Sequence, residues 1–197
     1  MGLAAQSQRA GAAIPSEMRI IAGEWRGRTL AAPEGRATRP TADRTREGLF
    51  SMLQSRLGSF EGLRVADLFA GTGALGLEAL SRGAAHCTFV ENDRAAGAIL
   101  QQNIDRFSAG ERAEIRSQPV EYASPPPRPC DLVLMDPPYA AGLAEMALTR
   151  IANPAWLAPA AWISVETGGE RPALPAGLSI EAERRFGKAY LFLLRSG

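Results

Sequence analysis

Two short stretches carry residue types that can do chemistry. Asp136-Pro137-Pro138-Tyr139 ends the apolar run Leu132-Val133-Leu134-Met135, and Ala70-Gly71-Thr72-Gly73 is a glycine-rich turn earlier in the chain. An exocyclic amine on a purine is a poor nucleophile, because its lone pair is delocalised into the ring. Catalysis must aim that lone pair at the electrophile and drain positive charge as the bond forms. A carboxylate and a backbone carbonyl, each accepting one N–H, do both; Asp136 supplies the first and the carbonyl of Pro137 the second. Pro137 and Pro138 fix the local φ angles and offer no N–H of their own, and Tyr139 is suited to stack on a base. In isolation the tetrapeptide would equally serve as a strand-ending turn.

Gly71, Gly73 and Gly76 satisfy the letters of G-x-G-x-x-G, a pattern open to a dinucleotide pyrophosphate or to a bare strand-to-helix turn. Asp67, four residues before Gly71, would repel phosphates and suits a cationic ligand. S-adenosylmethionine has a sulfonium and an ammonium, and a glycine turn lets backbone approach its amino-acid end closely. Glu91, at the tip of the next apolar run, can accept from both hydroxyls of a ribose. Phe69 and Ala70 lead into the turn and Asn92 extends the Glu91 tip, so all three join the candidate cofactor site. Asp93 is better placed to cap a helix.

The elements that must position these residues alternate regularly. Strands are predicted at 65–69, 87–91, 113–116, 130–135 and 161–166, with helices at 75–81, 95–107 and 143–151. A closing antiparallel pair is predicted at 180–186 and 190–195. This is the pattern of an α/β fold with a mainly parallel sheet, whose ligand crevice lies beyond the carboxyl ends of the strands. Leu68, Phe89, Val90, Leu132, Val133, Leu134, Ile163 and Val165 are expected inside. Before the sheet, 18–30 reads as a β-hairpin or ribbon. A helix over 43–57 follows, capped by Thr41 or Asp43, with Leu49, Phe50, Leu53 and Leu57 as its apolar stripe. The organisation expected is a disordered tail at 1–17, an RNA-contacting hairpin and helix at 18–60, and a catalytic domain at 61–197.

A net charge of +1 hides an asymmetry. Residues 1–64 carry ten arginines against six acids, whereas 65–150 carry seven against eleven. A basic segment on a more acidic body attracts a polyanion without a high overall pI. Trp25 lies inside this segment, either exposed to stack on an unpaired base or plugged between hairpin and core. Lys188, in the closing turn, is either an RNA contact or a solvated lysine. Trp156 and Trp162 read as packing residues.

Cys87 and Cys130 read as buried free thiols, and one histidine with two separated cysteines gives a metal almost no ligands. No stretch of the chain is apolar enough to span a membrane and the N-terminus lacks a signal pattern, so a cytoplasmic protein is expected, and a monomer, because no coiled-coil pattern occurs. A nicotinamide-dependent oxidoreductase is disfavoured by Asp67. A non-enzymatic RNA-binding module would leave Asp136 to Tyr139 without a task.

The segments "RIIAGEWRGRTL", "RPTADRTREGLFSML", "DLFAGTGALGLEALSRGA", "FVENDR" and "DLVLMDPPY" occur in this order. Together they resemble the Rossmann-like, S-adenosylmethionine-dependent methyltransferases, and most specifically the RsmD family, over about residues 18–195. That family methylates the N2 amine of a guanine in 16S ribosomal RNA of the small subunit. The resemblance implies that Asp67 and Gly71-Thr72-Gly73 hold the methionine portion, Glu91 the ribose, and Asp136 to Tyr139 the guanine. It also implies RNA contacts at Arg19, Arg26, Arg28, Arg39, Thr41, Arg44 and Arg46, on an assembled or partly assembled subunit. Family members tend to carry an acid after the third strand that reads the adenine amine; here Gln118 stands in that region. Adenine-N6 or protein-amide methylation on the same fold is the alternative.

Overall fold

The computed structural model of the chain describes residues 18–33, 40–140 and 142–197, without the side chains of 40–42. The tail at 1–17 and Arg39 lie outside the described residues, as does the side chain of Thr41. The elements run α1 (Pro40–Leu57), β1 (Arg64–Leu68), α2 (Ala74–Ser81), β2 (His86–Val90), α3 (Arg94–Arg106), β3 (Ala113–Arg116), β4 (Cys130–Met135), α4 (Leu143–Ile151), β5 (Leu157–Thr167), β6 (Leu178–Phe186) and β7 (Ala189–Ser196). They form one seven-stranded sheet in the order β3-β2-β1-β4-β5-β7-β6. The first five strands of that order are parallel neighbours, and β7 pairs antiparallel with both β5 and β6. The order reverses between β1 and β4, which are adjacent with Leu68 level with Met135. The glycine turn after β1 and the tetrapeptide after β4 therefore leave the sheet side by side, at the position where open α/β sheets bind ligands.

Alternation along the strands sends side chains to two cores. Val65, Leu132, Leu134 and Trp162 face α1, α2 and α3, while Leu68, Val133, Met135, Ile163 and Val165 face α4. All eight expected core residues are buried, as are Trp156, Trp162, Cys87 and Cys130. Burial pushes the Cys130 thiol up to about 12. Among the described residues no group of three or more His, Cys, Asp or Glu could hold a metal, and no helix is long and apolar enough to cross a membrane.

Two local expectations change. Helix α1 begins at Pro40, so neither Thr41 nor Asp43 is its cap; Asp43 sits inside the first turn. Proline is at home there, because the first helical N–H groups have no intrahelical partner to lose. The N-terminal hairpin contains one antiparallel bridge, Arg19 to Thr29, in place of two strands. Its arms are joined by the Ile20 N–H to the Arg28 carbonyl, the Gly27 N–H to the Ile20 carbonyl and the Leu30 N–H to the Met18 carbonyl, and docking onto α2 supplies further bonds. Buried Glu78 accepts from the backbone N–H groups of Ile21 and Ala22 at 2.7 and 3.0 Å and pairs with Arg82 at 2.8 Å. Ser81 Oγ donates to the Ala22 carbonyl and accepts from the Trp25 N–H.

Glu78→Ala would leave two backbone N–H groups and the Arg82 guanidinium without their shared acceptor. Urea denaturation should show a loss of ~3 kcal/mol, and Glu78→Gln, which keeps one acceptor oxygen, should lose less.

Candidate active site

Phe69 leaves β1 with φ 59°, which ends the strand one residue earlier than expected and starts the turn. Gly71 and Gly73 follow with φ of 54° and 81°, the left-handed region that glycine enters without strain. Gly76 serves a different need. A Cβ there would come within 2.3 Å of the Phe89 ring and 2.6 Å of the Cys87 sulfur, so its absence lets α2 lie close against β2. The turn is held from two sides. Asn103 of α3, fully buried, donates to the Thr72 carbonyl at 2.9 Å and also bonds the backbone of Ala31. Glu91 accepts the Gly71 N–H at 2.7 Å with one oxygen and the Asp93 N–H at 2.7 Å with the other. Each carboxylate oxygen has a second lone pair, so these bonds leave Glu91 able to accept from a ligand hydroxyl. Asp93 caps α3 through the Ala96 N–H.

Asp67 sits beneath the turn, buried to 1% exposure, with Oδ2 accepting the Gly76 N–H at 2.8 Å. No described cation pairs with it. Burial raises its carboxyl well above the ordinary range, the Gly76 N–H opposes the rise, and Asp136 and Glu91 reinforce it. A buried acid of this kind is completed by a cationic ligand and repels an anionic one. Asn92 is exposed beside Glu91, and half-buried Gln118 follows β3 on the same edge, its N–H bonded to the Arg116 carbonyl.

Asp136 opens onto the crevice, with protein walling off one side of its carboxyl. Lost hydration on that side and then the charge of Glu166 push it up to about 7. Pro137 is buried, Pro138 exposed, and Tyr139 62% exposed, with its hydroxyl donating to Glu166 Oε1 at 2.6 Å. By strand parity Asp67, Asp136 and Glu166 all belong to the α1 face of the sheet.

The basic segment divides. Trp25 is the plug of its two readings: it is 2% exposed and stacked on Phe107 at 5.0 Å, which removes it from any base. Arg46 is buried as well, bonded to the Arg19 carbonyl at 2.7 Å and to Asp43, so its guanidinium holds the hairpin to α1. Arg28 is exposed but lies over the Phe107 ring and donates to the Arg106 carbonyl. The hairpin tip, with Arg26, meets Ser81 at the far end of α2 from the glycine turn. Arg19, Arg44 and Lys188 are exposed. α1 enters beside the crevice, where Asp43, Thr45 and Arg46 share a cavity with Asp136.

Sequence reasoning missed Glu166, Asn103 and the arginines of the last hairpin. Register carries Thr167 across Tyr190 to Arg185, so Arg184, Arg185 and Lys188 stand at the same edge as Asp136. Glu166 closes a predicted strand just as Glu91 does, and that parallel was the available signal. Asn103 showed only as an amide within a helix, a signal no stronger than an exposed one leaves.

Comparison with known proteins then gives the chain its place. A family model described as "Conserved hypothetical protein 95" matches residues 18–195. Ribosomal RNA small subunit methyltransferase D of Escherichia coli strain K12 is 40% identical over 174 residues, 87% of this chain and 86% of that protein. The protein of the same name from Haemophilus influenzae is 40% identical over 162 residues, 80% of this chain and 82% of its own. Among solved structures, the putative methyltransferase yhhF from Escherichia coli superposes with a TM-score of 0.80 at 35% identity, covering 92% of this chain and 98% of that one. Magnesium protoporphyrin IX methyltransferase from Synechocystis, 15% identical with a TM-score of 0.63 over 80% of each chain, shares the fold alone. The chain belongs to the conserved hypothetical protein 95 family, the RsmD family that its motifs resemble.

Proposed function

We propose that this chain transfers a methyl group from S-adenosylmethionine to the exocyclic N2 amine of a guanine in small-subunit ribosomal RNA. The observation that carries the reading is Asp136-Pro137-Pro138-Tyr139 emerging beside the Asp67 glycine turn on adjacent central strands. The names of the relatives, ribosomal RNA small subunit methyltransferase D, support the substrate class.

The residues fit the cofactor. A buried carboxyl without a cation partner, a glycine turn open to close approach and a second carboxylate at the β2 tip match a ligand with a cationic amino-acid end and a ribose. When bound, S-adenosylmethionine supplies an electrophilic methyl group on a sulfonium. Asp67 and Gly71 to Gly73 would hold its methionine portion, Glu91 and Asn92 its ribose, and Gln118 would face its adenine, with Phe69 and Ala70 shaping the turn. Asn103 keeps Thr72 in place from behind.

For the target base, Asp136 accepts one N–H of the amine and the Pro137 carbonyl the other. These bonds turn the nitrogen lone pair away from the ring and toward the donor. Tyr139 stacks on the ring and fixes its plane. As the nitrogen gains its new bond it sheds one proton, and Asp136, poised at about 7, accepts it near neutral pH. Arg19 and Arg44 from the N-terminal extension, with Arg184, Arg185 and Lys188 at the catalytic edge, meet the phosphates. The partner is an assembled or partly assembled small subunit in the cytoplasm, because a protein of 21.0 kDa has little surface for reading sequence alone.

Labelled methyl transfer to small subunits lacking the modification should yield N2-methylguanosine at one nucleotide. Asp136→Ala should cut that transfer at least ~100-fold while leaving cofactor affinity unchanged; near-normal turnover removes Asp136 from its role.

The raised carboxyls set a pH dependence. In the folded, ligand-free protein Asp67 and Asp136 keep protons that the unfolded chain releases above roughly pH 4. Their contribution to stability is therefore full below that pH and is lost as pH rises, through about 7 for Asp136. A cationic cofactor favours ionised Asp67, so its affinity should rise with pH. Asp67→Asn should flatten the stability slope and lower cofactor affinity at least ~tenfold, as read by urea titrations and calorimetry from pH 5 to 8.

Alanine at Arg184 and Lys188 together should weaken binding to small subunits and reduce the slope of log affinity against log salt by ~1–2. An unchanged slope takes the last hairpin out of the RNA interface.

A further inference from the structure

Two hollows meet at the end of β5. One is a cavity of about 140 Å³ between α1 and the ends of β4 and β5, with Met135, Asp136, Ser164 and Glu166 among its lining. The other is an open cleft of about 380 Å³ lined by Pro137, Pro138, Tyr139 and the 167–170 turn, and again by Glu166. Glu166 is the one residue that lines both. Its Oε1 accepts from the Tyr139 hydroxyl at 2.6 Å. The Tyr139 ring rests on Gly168, where a Cβ would lie 3.2 Å from ring carbon Cγ. The end of β5 thus seats the stacking residue from two points and sets a second carboxylate beside Asp136.

We propose that Glu166 is the second reading group of the target-base pocket, accepting the N1–H of the guanine while Asp136 accepts an N2–H. The inference rests on the guanine-N2 reading above. Guanine offers two adjacent donors on its Watson–Crick edge, N1–H and N2–H. Adenine offers a donor beside a lone pair, which a carboxylate repels. Two acceptors side by side therefore select guanine by chemistry and reject adenine by repulsion, a form of discrimination that buried hydrogen-bonding sites perform well.

The arrangement also explains why two acids are kept close without a cation between them. Asp136 is raised by burial and then by Glu166. Glu166 is raised by burial and lowered by the Tyr139 hydroxyl. Other charged or titratable groups around the pair are Asp67 of β1, Asp43 and Arg46 of α1, Glu145 of α4 and Glu170 after β5. Most are acids, so neutralising Glu166 removes the nearest like charge and lets Asp136 ionise at lower pH.

The test uses small subunits reconstituted with guanine or 2,6-diaminopurine at the mapped target nucleotide. Diaminopurine keeps the amine and presents a lone pair at N1. The wild-type protein should prefer guanine in kcat/KM by at least ~100-fold. Glu166→Gln, whose carboxamide can turn its NH₂ toward N1, should narrow that preference at least ~tenfold. It should also move the acid limb of the pH profile down by about half a unit or more. Tyr139→Phe should be slower but keep the preference. A wild-type protein indifferent to the two bases overturns the proposal without any variant. So does a Glu166→Gln protein, folded and binding cofactor, that keeps the wild-type preference or is inactive on both bases. Loss of preference in Tyr139→Phe as well would mean that Glu166 acts only through Tyr139, which also overturns it. Failure of the guanine-N2 reading is seen separately, as no transfer to guanine-bearing subunits or a methyl group at another atom.

Discussion

Three carboxyls crowd the α1 face of the sheet at the carboxyl ends of its central strands: Asp67 on β1, Asp136 after β4 and Glu166 at the end of β5. Asp67 is buried outright, Glu166 is half-buried, Asp136 is exposed to the crevice, and no described cation neutralises any of them. Charge of one sign, withdrawn from water, is unfavourable in the free protein, and the raised carboxyls register that cost. The proposed function assigns the missing positive charge and the missing N–H donors to ligands. On the proposed reading, a sulfonium and ammonium would complete Asp67, and a base edge would complete Asp136 and Glu166. On that reading one acidic face would unite cofactor binding, base selection and proton uptake.

Such a face needs rigid support, which comes from buried hydrogen bonds away from it. Glu78 ties the N-terminal hairpin to α2, and Asn103 ties α3 to both Ala31 and Thr72. Both side chains are fully buried, and both bond backbone that has no strand or helix partner of its own. The hairpin therefore braces the helix that begins at the glycine turn. Its arginines divide accordingly. Arg28 and Arg46 use planar guanidinium groups to cover an aromatic ring and to satisfy carbonyls, work that a lysine could not copy. This is why a run of arginines near the N-terminus is a poor count of RNA contacts: stacking and buried hydrogen bonding draw on the same residue type.

Much of the architecture was legible because the central parallel strands, buried on both faces, read as continuous apolar runs. β4 matched its expected span, and the eight core positions followed from strand composition. What escaped was decided by packing. The start of α1 at Pro40 depends on helix geometry that favours proline in the first turn over the Asp43 cap. The hairpin keeps only a short ladder, and its Ile21, Ala22 and Trp25 N–H groups turn instead to Glu78 and Ser81, some 57 residues away. The fate of Trp25 turned on Phe107, a partner that local sequence does not reveal.

Glu166 shows where such reading stops. In sequence it is one acid at the end of an apolar strand, no more conspicuous than Asp131 at the start of another. The two differ in which end of the sheet they occupy. Asp131 sits near the amino end of β4, where its carboxylate accepts the Arg64 N–H at 2.8 Å and helps hold β1 in register. Glu166 sits at the carboxyl end, where helix N-termini and loops part and leave room for a ligand. An acid at the closed end is absorbed by backbone donors that the fold itself supplies. An acid at the open end also takes protein donors, as Glu91 and Glu166 do, but it keeps acceptor capacity facing the crevice.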